Sequence, residues 1–238
     1  MKKSIIILLT VLVPIISCKK AEEIKLQVTP QEIAVYSEGT QLITTNVDDA
    51  TFTSGDEFYA SVDATGMVTG NKVGETTINV SSTKGSASVP VKILSQYSLY
   101  PDIDFLVGKT LNDITKVLGT AYDHDTTSKG EDMYVFTYPT SYVDFIGFIM
   151  SGSRVSSILV AVPTKNTSML TKHLLERYSV AGMQNDYYFF LNHDKNVVIA
   201  LTVYSIKYLA AMYVENTSSK SQVELDYSIL EDFQRAIQ

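Results

Sequence analysis

The chain has 238 residues, with 19 Lys and Arg against 26 Asp and Glu, a formal charge of −7, one Cys, no Trp and 15 Tyr. This length makes one or two domains, and an apolar fraction of 45% sets the chain apart from disordered sequences. One cysteine excludes an internal disulfide framework and a cysteine-based metal cluster, and the acidic balance excludes the basic face of a nucleic-acid binder.

The chain opens on Met1-Lys2-Lys3, a short basic start, followed by an almost wholly apolar run from Ser4 to Ser17. That run is shorter than the roughly 20 residues of a membrane span and fits the apolar core of a secretory signal. Ile15-Ile16-Ser17-Cys18 resembles the lipobox of bacterial lipoproteins. The resemblance implies that residues 1–17 are removed and that Cys18 is acylated, becoming a lipid anchor. An uncleaved anchor helix with an incidental thiol is the alternative. Residues 18–23 then form a polar tether. Lys19 stands where some lipoproteins carry an inner-membrane retention Asp, which by resemblance implies the outer membrane. The run Lys19-Lys20-Ala21-Glu22-Glu23 is similar to the surface-export signals of Bacteroidetes lipoproteins.

Residues 24–94 carry strand periodicity and no helical stripe. Short alternating runs at Ile24–Val28, Ile33–Tyr36, Gln41–Thr45, Phe58–Val62, Met67–Thr69, Thr76–Val80 and Ala87–Leu94 are separated by turn residues such as Asp63-Ala64-Thr65-Gly66. Thr83-Lys84-Gly85-Ser86 reads as the last hairpin turn. So many short strands predict an all-β sandwich. Phe52-Thr53-Ser54-Gly55-Asp56, Ala60-Ser61-Val62-Asp63 and Gly66-Met67-Val68-Thr69-Gly70, with Gly74 and Ile78, resemble the bacterial Ig-like domains of group 2, the modules of intimin- and invasin-type adhesins. Phe52 stands where that family usually has Trp. The resemblance implies an Ig-like spacer.

Residues 95–238 differ in composition and hold 13 of the 15 Tyr. Thr110 to Asp113 reads as a capping box. The apolar face Leu111, Ile114, Val117, Leu118 then predicts a helix of eight or nine residues closed by Gly119. Strands are predicted at Met133–Tyr138, Tyr142–Met150 and Val155–Val162. A second helix follows from Asn166-Thr167, with Leu170, Leu174 and Tyr178 on its apolar side. Further strands are predicted at Tyr187–Leu191, Val197–Val203 and Lys207–Val214, and a last helix near 228–237. The expected fold is an N-terminal all-β Ig-like sandwich plus a C-terminal α+β domain built of a duplicated α-β-β-β unit. Gly108 to Ile114 and Leu118-Gly119 ahead of a sheet resemble the helix-plus-sheet repeats of outer-membrane assembly lipoproteins and of β-lactamase-inhibitor-type proteins.

The sequence contains no GxSxG, P-loop, HExxH or GxGxxG motif, so no catalytic residue, metal or cofactor is expected. His173 reads as a helical core or surface histidine, and His193 as part of a hairpin turn. Asp123-His124-Asp125 lacks the Gly that an EF-hand loop needs at position six, and Asp123–Glu131 reads as a polar loop. Asp125-Thr126-Thr127 resembles the O-glycosylation sequon of Bacteroides secreted proteins, implying modification at Thr126. Tyr combines an apolar face with a polar tip and suits protein and glycan contacts. Tyr134, Tyr138, Tyr142, Tyr204 and Tyr208 are therefore the candidate binding surface, with core packing as the alternative.

The function these readings predict is a non-enzymatic envelope lipoprotein, held at the membrane by Cys18. Its C-terminal domain binds a protein or glycan at the cell surface, and its Ig-like domain is the spacer. A periplasmic assembly or inhibitor-type factor that docks onto another protein is the second reading. A hydrolase using Asp123 and His124 is the third.

Overall fold

The computed structural model describes residues 24–137 and 142–216. The lipobox with Cys18, Tyr138 and the helix expected over 228–237 lie outside the described residues.

The N-terminal sandwich is built of β1 (Val28–Thr29), β2 (Ile33–Tyr36), β3 (Thr40–Leu42), β4 (Thr44–Thr45), β5 (Thr51–Ser54), β6 (Ala60–Val62), β7 (Met67–Gly70), β8 (Gly74–Ser82) and β9 (Gly85–Leu94). They form sheets in the orders β2-β9-β8-β5, β3-β7-β6 and β1-β4. All pairs are antiparallel except β2 on β9. Period-two alternation turns Ile78 and Val80 of β8, and Val89, Val91 and Ile93 of β9, into one core with Val28, Ile33, Ile43, Ala60 and Val68. Phe52 packs against that core. Its ring lies over Gly66, where φ is +86° and an added Cβ would fall 2.9 Å from the ring. The turn Asp63–Gly66 is fixed by the Asp63 carboxylate, which accepts from Thr65 N at 2.8 Å and Met67 N at 3.0 Å.

The second region opens with α1 (Leu111–Leu118) and continues with β10 (Asp123–Thr126), β11 (Asp132–Thr137), β12 (Phe145–Ser151) and β13 (Arg154–Pro163). Then come α2 (Thr167–Leu175), β14 (Ser179–Gln184), β15 (Tyr187–Leu191), β16 (Val197–Val203) and β17 (Tyr208–Glu215). The capping box forms: the Asp113 carboxylate accepts from Thr110 N at 3.2 Å and Thr110 Oγ1 at 2.8 Å. Those bonds, the Thr110 hydroxyl first and Lys116 after it, bring its pKa down to about 2. All eight strands make one antiparallel sheet in the order β10-β11-β12-β13-β17-β16-β15-β14. The expected three-strand unit is corrected: each helix is followed by four strands, and the two unforeseen ones, β10 and β14, are the sheet's edges. Both escape a periodicity search because every residue of β10, and all but the first of β14, is exposed, so no apolar alternation marks them. The Asp123–Glu131 loop is corrected with them: its first half is β10.

One face of the sheet carries Phe148, Ile158, Val160, Ile199, Ala211 and Tyr213. It packs under Ile114 of α1, Leu170 and Leu174 of α2, and Leu99 to Leu106 of the connecting segment. The other face carries Met133, Ile149, Leu159, Ala161 and Met212, all buried. The edges differ. β10 displays Asp123 and Asp125, whereas β14 carries no charge and is kinked by a bulge between Val180 and Gly182.

The meander also gives the sheet two ends. Turns 127–131, 152–153 and 192–196 and the C-terminus of α2 gather at one, the proximal end. The β14–β15 tip at Asn185-Asp186, the 204–207 turn and residues 142–144 gather at the other, the distal end. Gly66→Ala is expected to lose about 1–2 kcal/mol from its positive φ, plus the clash with the Ile43 carbonyl, 2.6 Å from an added Cβ, and with Phe52. Gly130→Ala, with φ +79° and nothing within 4 Å, should lose less. Denaturant unfolding of both variants separates the clash from the backbone term.

Candidate functional site

Two places stand out, one at each end of the sheet. The proximal one joins the two regions. A helix leaves its last carbonyls without partners, and those of α2 are met by the loop before β8. Val73 N donates to Glu176 O at 2.7 Å, and Lys72 Nζ donates to Leu175 O at 2.6 Å. Burial pulls the Lys72 ammonium below its usual pKa. The Glu176 carboxylate accepts from Ser95 Oγ at 2.9 Å, Gln96 N at 2.8 Å and Tyr97 N at 3.2 Å, which fixes the connection between the regions. Arg177, 8% exposed, donates to Asp102 at 2.6 Å, to Ser95 Oγ at 3.1 Å, and to the Tyr97 and His173 carbonyls at 3.3 Å. A guanidinium with its donors so divided is hard to replace, since removing it takes the counter-charge from the buried Glu176 carboxylate, 3.3 Å away.

Beneath the clasp, the imidazole of His173 is fully buried and rests on Tyr100, 4.2 Å between ring centres. Nδ1 donates to Tyr97 O at 2.8 Å, so the 3.4 Å approach of Leu99 N to the same nitrogen is a contact and not a bond. Nε2 has no hydrogen-bond partner among the described residues. A lone pair tolerates that better than an N–H would. Burial first, then the Arg177 charge, pull His173 down to about 3. A cleft of about 130 Å³ beside the clasp is lined by Phe58, Tyr59, Val73, Asp104, Asn192 and His193, among others. Asp104 accepts from Tyr178 Oη at 3.3 Å and Asn192 Nδ2 at 3.2 Å, and burial raises its pKa.

The distal end presents apolar side chains to solvent. In β16 the buried row Val197, Ile199, Leu201 continues to Val203, which is 69% exposed because the helix layer has ended. In the following turn Ile206 is 93% exposed. Its backbone is nonetheless held. Tyr204 N donates to Tyr208 O at 2.9 Å and Thr164 N to Lys207 O at 2.8 Å. The Ser205 hydroxyl accepts from Lys207 N and Tyr208 N at 3.2 Å. Tyr188 and Met183, cross-strand partners below the β14–β15 tip, and Tyr142 are exposed at the same end.

The five predicted tyrosines do not form one surface. Tyr134 lies under the ring of His124, 4.7 Å and nearly parallel, with Tyr122 edge-on at 5.2 Å, on the helix-covered side of the sheet. Tyr204 and Tyr208 belong to the opposite face. Tyr204 is 9% exposed and so is corrected to a core residue. Tyr208 Oη donates to Asp144 Oδ2 at 2.6 Å, a bond that raises its pKa. Tyr142 is at the distal end, and Tyr138 lies outside the described residues. Thr126 is exposed on β10. His124 Nε2 is 2.9 Å from Asp132, and among the described residues no three His, Cys, Asp or Glu gather as a metal site. Sequence reasoning missed Arg177, Glu176 and Lys72, whose partners are far off in the chain, and Ile206. An isolated Ile between Ser205 and Lys207 in a hairpin turn was the available signal for the last.

Residues 26–93 match the family model of the bacterial Ig-like domain, group 2. The N-terminal sandwich is Ig-like. No curated protein matches the chain. Among solved structures, an extracellular protein with an SCP domain from Bacillus anthracis is 11% identical with a TM-score of 0.30. It covers 52% of this chain, which spans half of its length. An intimin mutant from EHEC O157:H7 is 17% identical, TM-score 0.26, with 55% and 92% covered. Domains 5–6 of the S-layer protein SbsC are 13% identical, TM-score 0.25, with 82% and 85% covered. Likenesses at these scores assign this chain no role.

Unfolding should report the state of His173. Free imidazole takes a proton below about 6.5, whereas the folded site resists until about 3. Between those values the unfolded chain binds the extra proton. This contribution is therefore fully present above pH 6.5 and is lost on acidification, by about 1.4 kcal/mol per pH unit. Urea midpoints at pH 7, 5.5 and 4.5 should fall less steeply for His173→Gln than for the wild type.

Proposed function

We propose that the chain is a membrane-anchored envelope protein that uses the distal end of its eight-stranded sheet to bind another protein, with the Ig-like domain as a stiff support. The observation that carries this reading is the exposure of Val203 at the end of β16 and of Ile206 in the hydrogen-bonded turn after it, at the end away from the Ig-like domain. Apolar side chains on a bonded backbone, with Tyr142, Tyr188 and Met183 at the same end, have the character of an interface centre, where little backbone ordering is lost on binding. Branched aliphatic groups favour a protein partner, because a glycan's hydroxyls gain nothing from Ile206. No catalytic step belongs to this reading.

The lipobox-like Ile15-Ile16-Ser17-Cys18 supports lipid anchoring at Cys18, and Lys19 supports the outer membrane. The Ig-like match is in keeping with a cell-surface setting. A support of this kind holds the recognition end away from the bilayer.

Three experiments test the reading. A photo-crosslinking residue at position 206 should capture a single protein from intact cells. Val203→Ser should reduce the yield at least tenfold, and a crosslinker placed at Thr115 on α1 should capture none. Equal capture from both positions would overturn the assignment of the distal end. Cys18→Ser should abolish incorporation of labelled fatty acid and release the chain from membranes. Protease added to intact cells should then remove residues 95–238 from the wild type. Protection would place the chain at the periplasmic face, as a docking factor there.

A further inference from the structure

His193 lies in the β15–β16 turn, 2.7 Å through Nε2 from Asp56 Oδ2 of the Ig-like domain and 2.9 Å through Nδ1 from Asp194 Oδ1. A neutral imidazole has one N–H. It could bond one of these carboxylates and would set a lone pair against the other. The imidazolium satisfies both. Its ring lies near-parallel on Tyr59, 5.2 Å away, with Phe58 edge-on at 4.8 Å. Tyr59 is itself seated on Gly74, where φ is +148° and a Cβ would fall 2.3 Å from the ring. The ring is therefore gripped by the Ig-like domain from two sides.

The charges around it lean one way. Asp102, Asp104, Arg177 and Tyr178 line the same cleft, and Lys195 stands two residues on in the turn. Asp56, Asp194, Asp104 and Asp102 all act on the Tyr59 hydroxyl, which burial and these charges raise. Of the cleft's cations, Arg177 is already bonded to Asp102. A proton on His193 supplies a second cation where carboxylates outnumber cations.

We propose that His193 is a proton-operated latch between the two domains: the imidazolium bonds Asp56 and Asp194 together, and loss of its proton loosens the junction. By linkage, a contact that prefers the protonated ring makes docking tighter at low pH and weaker as pH rises. Both partners are partly exposed, which limits the effect to a few-fold change in the docking equilibrium.

The amide of Val73, which donates across the junction to Glu176 O, reports docking directly. In hydrogen exchange on the full chain, corrected for intrinsic rates, its protection should fall about fivefold between pH 5.5 and 8. Amides of β8 paired within the Ig-like sheet should hold constant. His193→Gln and Asp56→Asn should each flatten the Val73 profile. Identical pH profiles in wild type and both variants, or protection that rises with pH, would overturn the latch. Neither outcome bears on the distal recognition end, which the crosslinking experiment tests separately.

Discussion

The architecture depends on how one helix ends. The last carbonyls of α2 find their donors in Lys72 and Val73, about a hundred residues earlier in the chain. A helix C-terminus carries partial negative charge as well as unpaired acceptors, so an ammonium and a backbone N–H satisfy it in both respects. Once that contact is made, the Ig-like domain sits against the proximal end of the sheet, and the distal end is the one left open.

Glu176 and Arg177 set the precision of the joint. Both side chains are 7% exposed, where unpaired charge is costly. Each is surrounded by partners from the connecting segment, so few relative orientations of the two domains satisfy them together. Buried charge of this kind adds little net stability and penalises alternative arrangements heavily. The distal end is built the opposite way. The 204–208 turn there is tied by several backbone bonds while its side chains touch solvent, so the turn is held and apolar surface stays available.

Much of the fold was legible where chemistry is local. Thr110 to Asp113, Gly119 and the Asp63–Gly66 turn each act within a few residues, and the structure has them where the sequence implied. The interior strands β12, β13, β16 and β17 were legible as apolar runs. β10 and β14 were not, because an edge strand's residues face water and obey no alternation. The junction was illegible for a different reason. His193 was recognisable as a turn residue, but Asp56 lies 137 positions away, and nothing in the local sequence of either marks the other. The tyrosines misled by abundance. Tyr204 fills the sheet's second face and Tyr134 stacks under His124, so enrichment reflected packing as much as exposure. Ile206, one residue in a polar turn, carried the stronger signal.

The two edges of the sheet have a consequence beyond the single molecule. If copies are anchored side by side, as proposed for Cys18, they reach high local concentration, where open strand edges tend to zip together. Here one border presents Asp123 and Asp125, so two such borders repel. The other is bent out of line between Val180 and Gly182, so a neighbour's straight backbone meets it at mismatched spacing. Under the proposed anchoring, a dense lawn of these molecules would therefore remain a population of individuals instead of polymerising laterally into a mat.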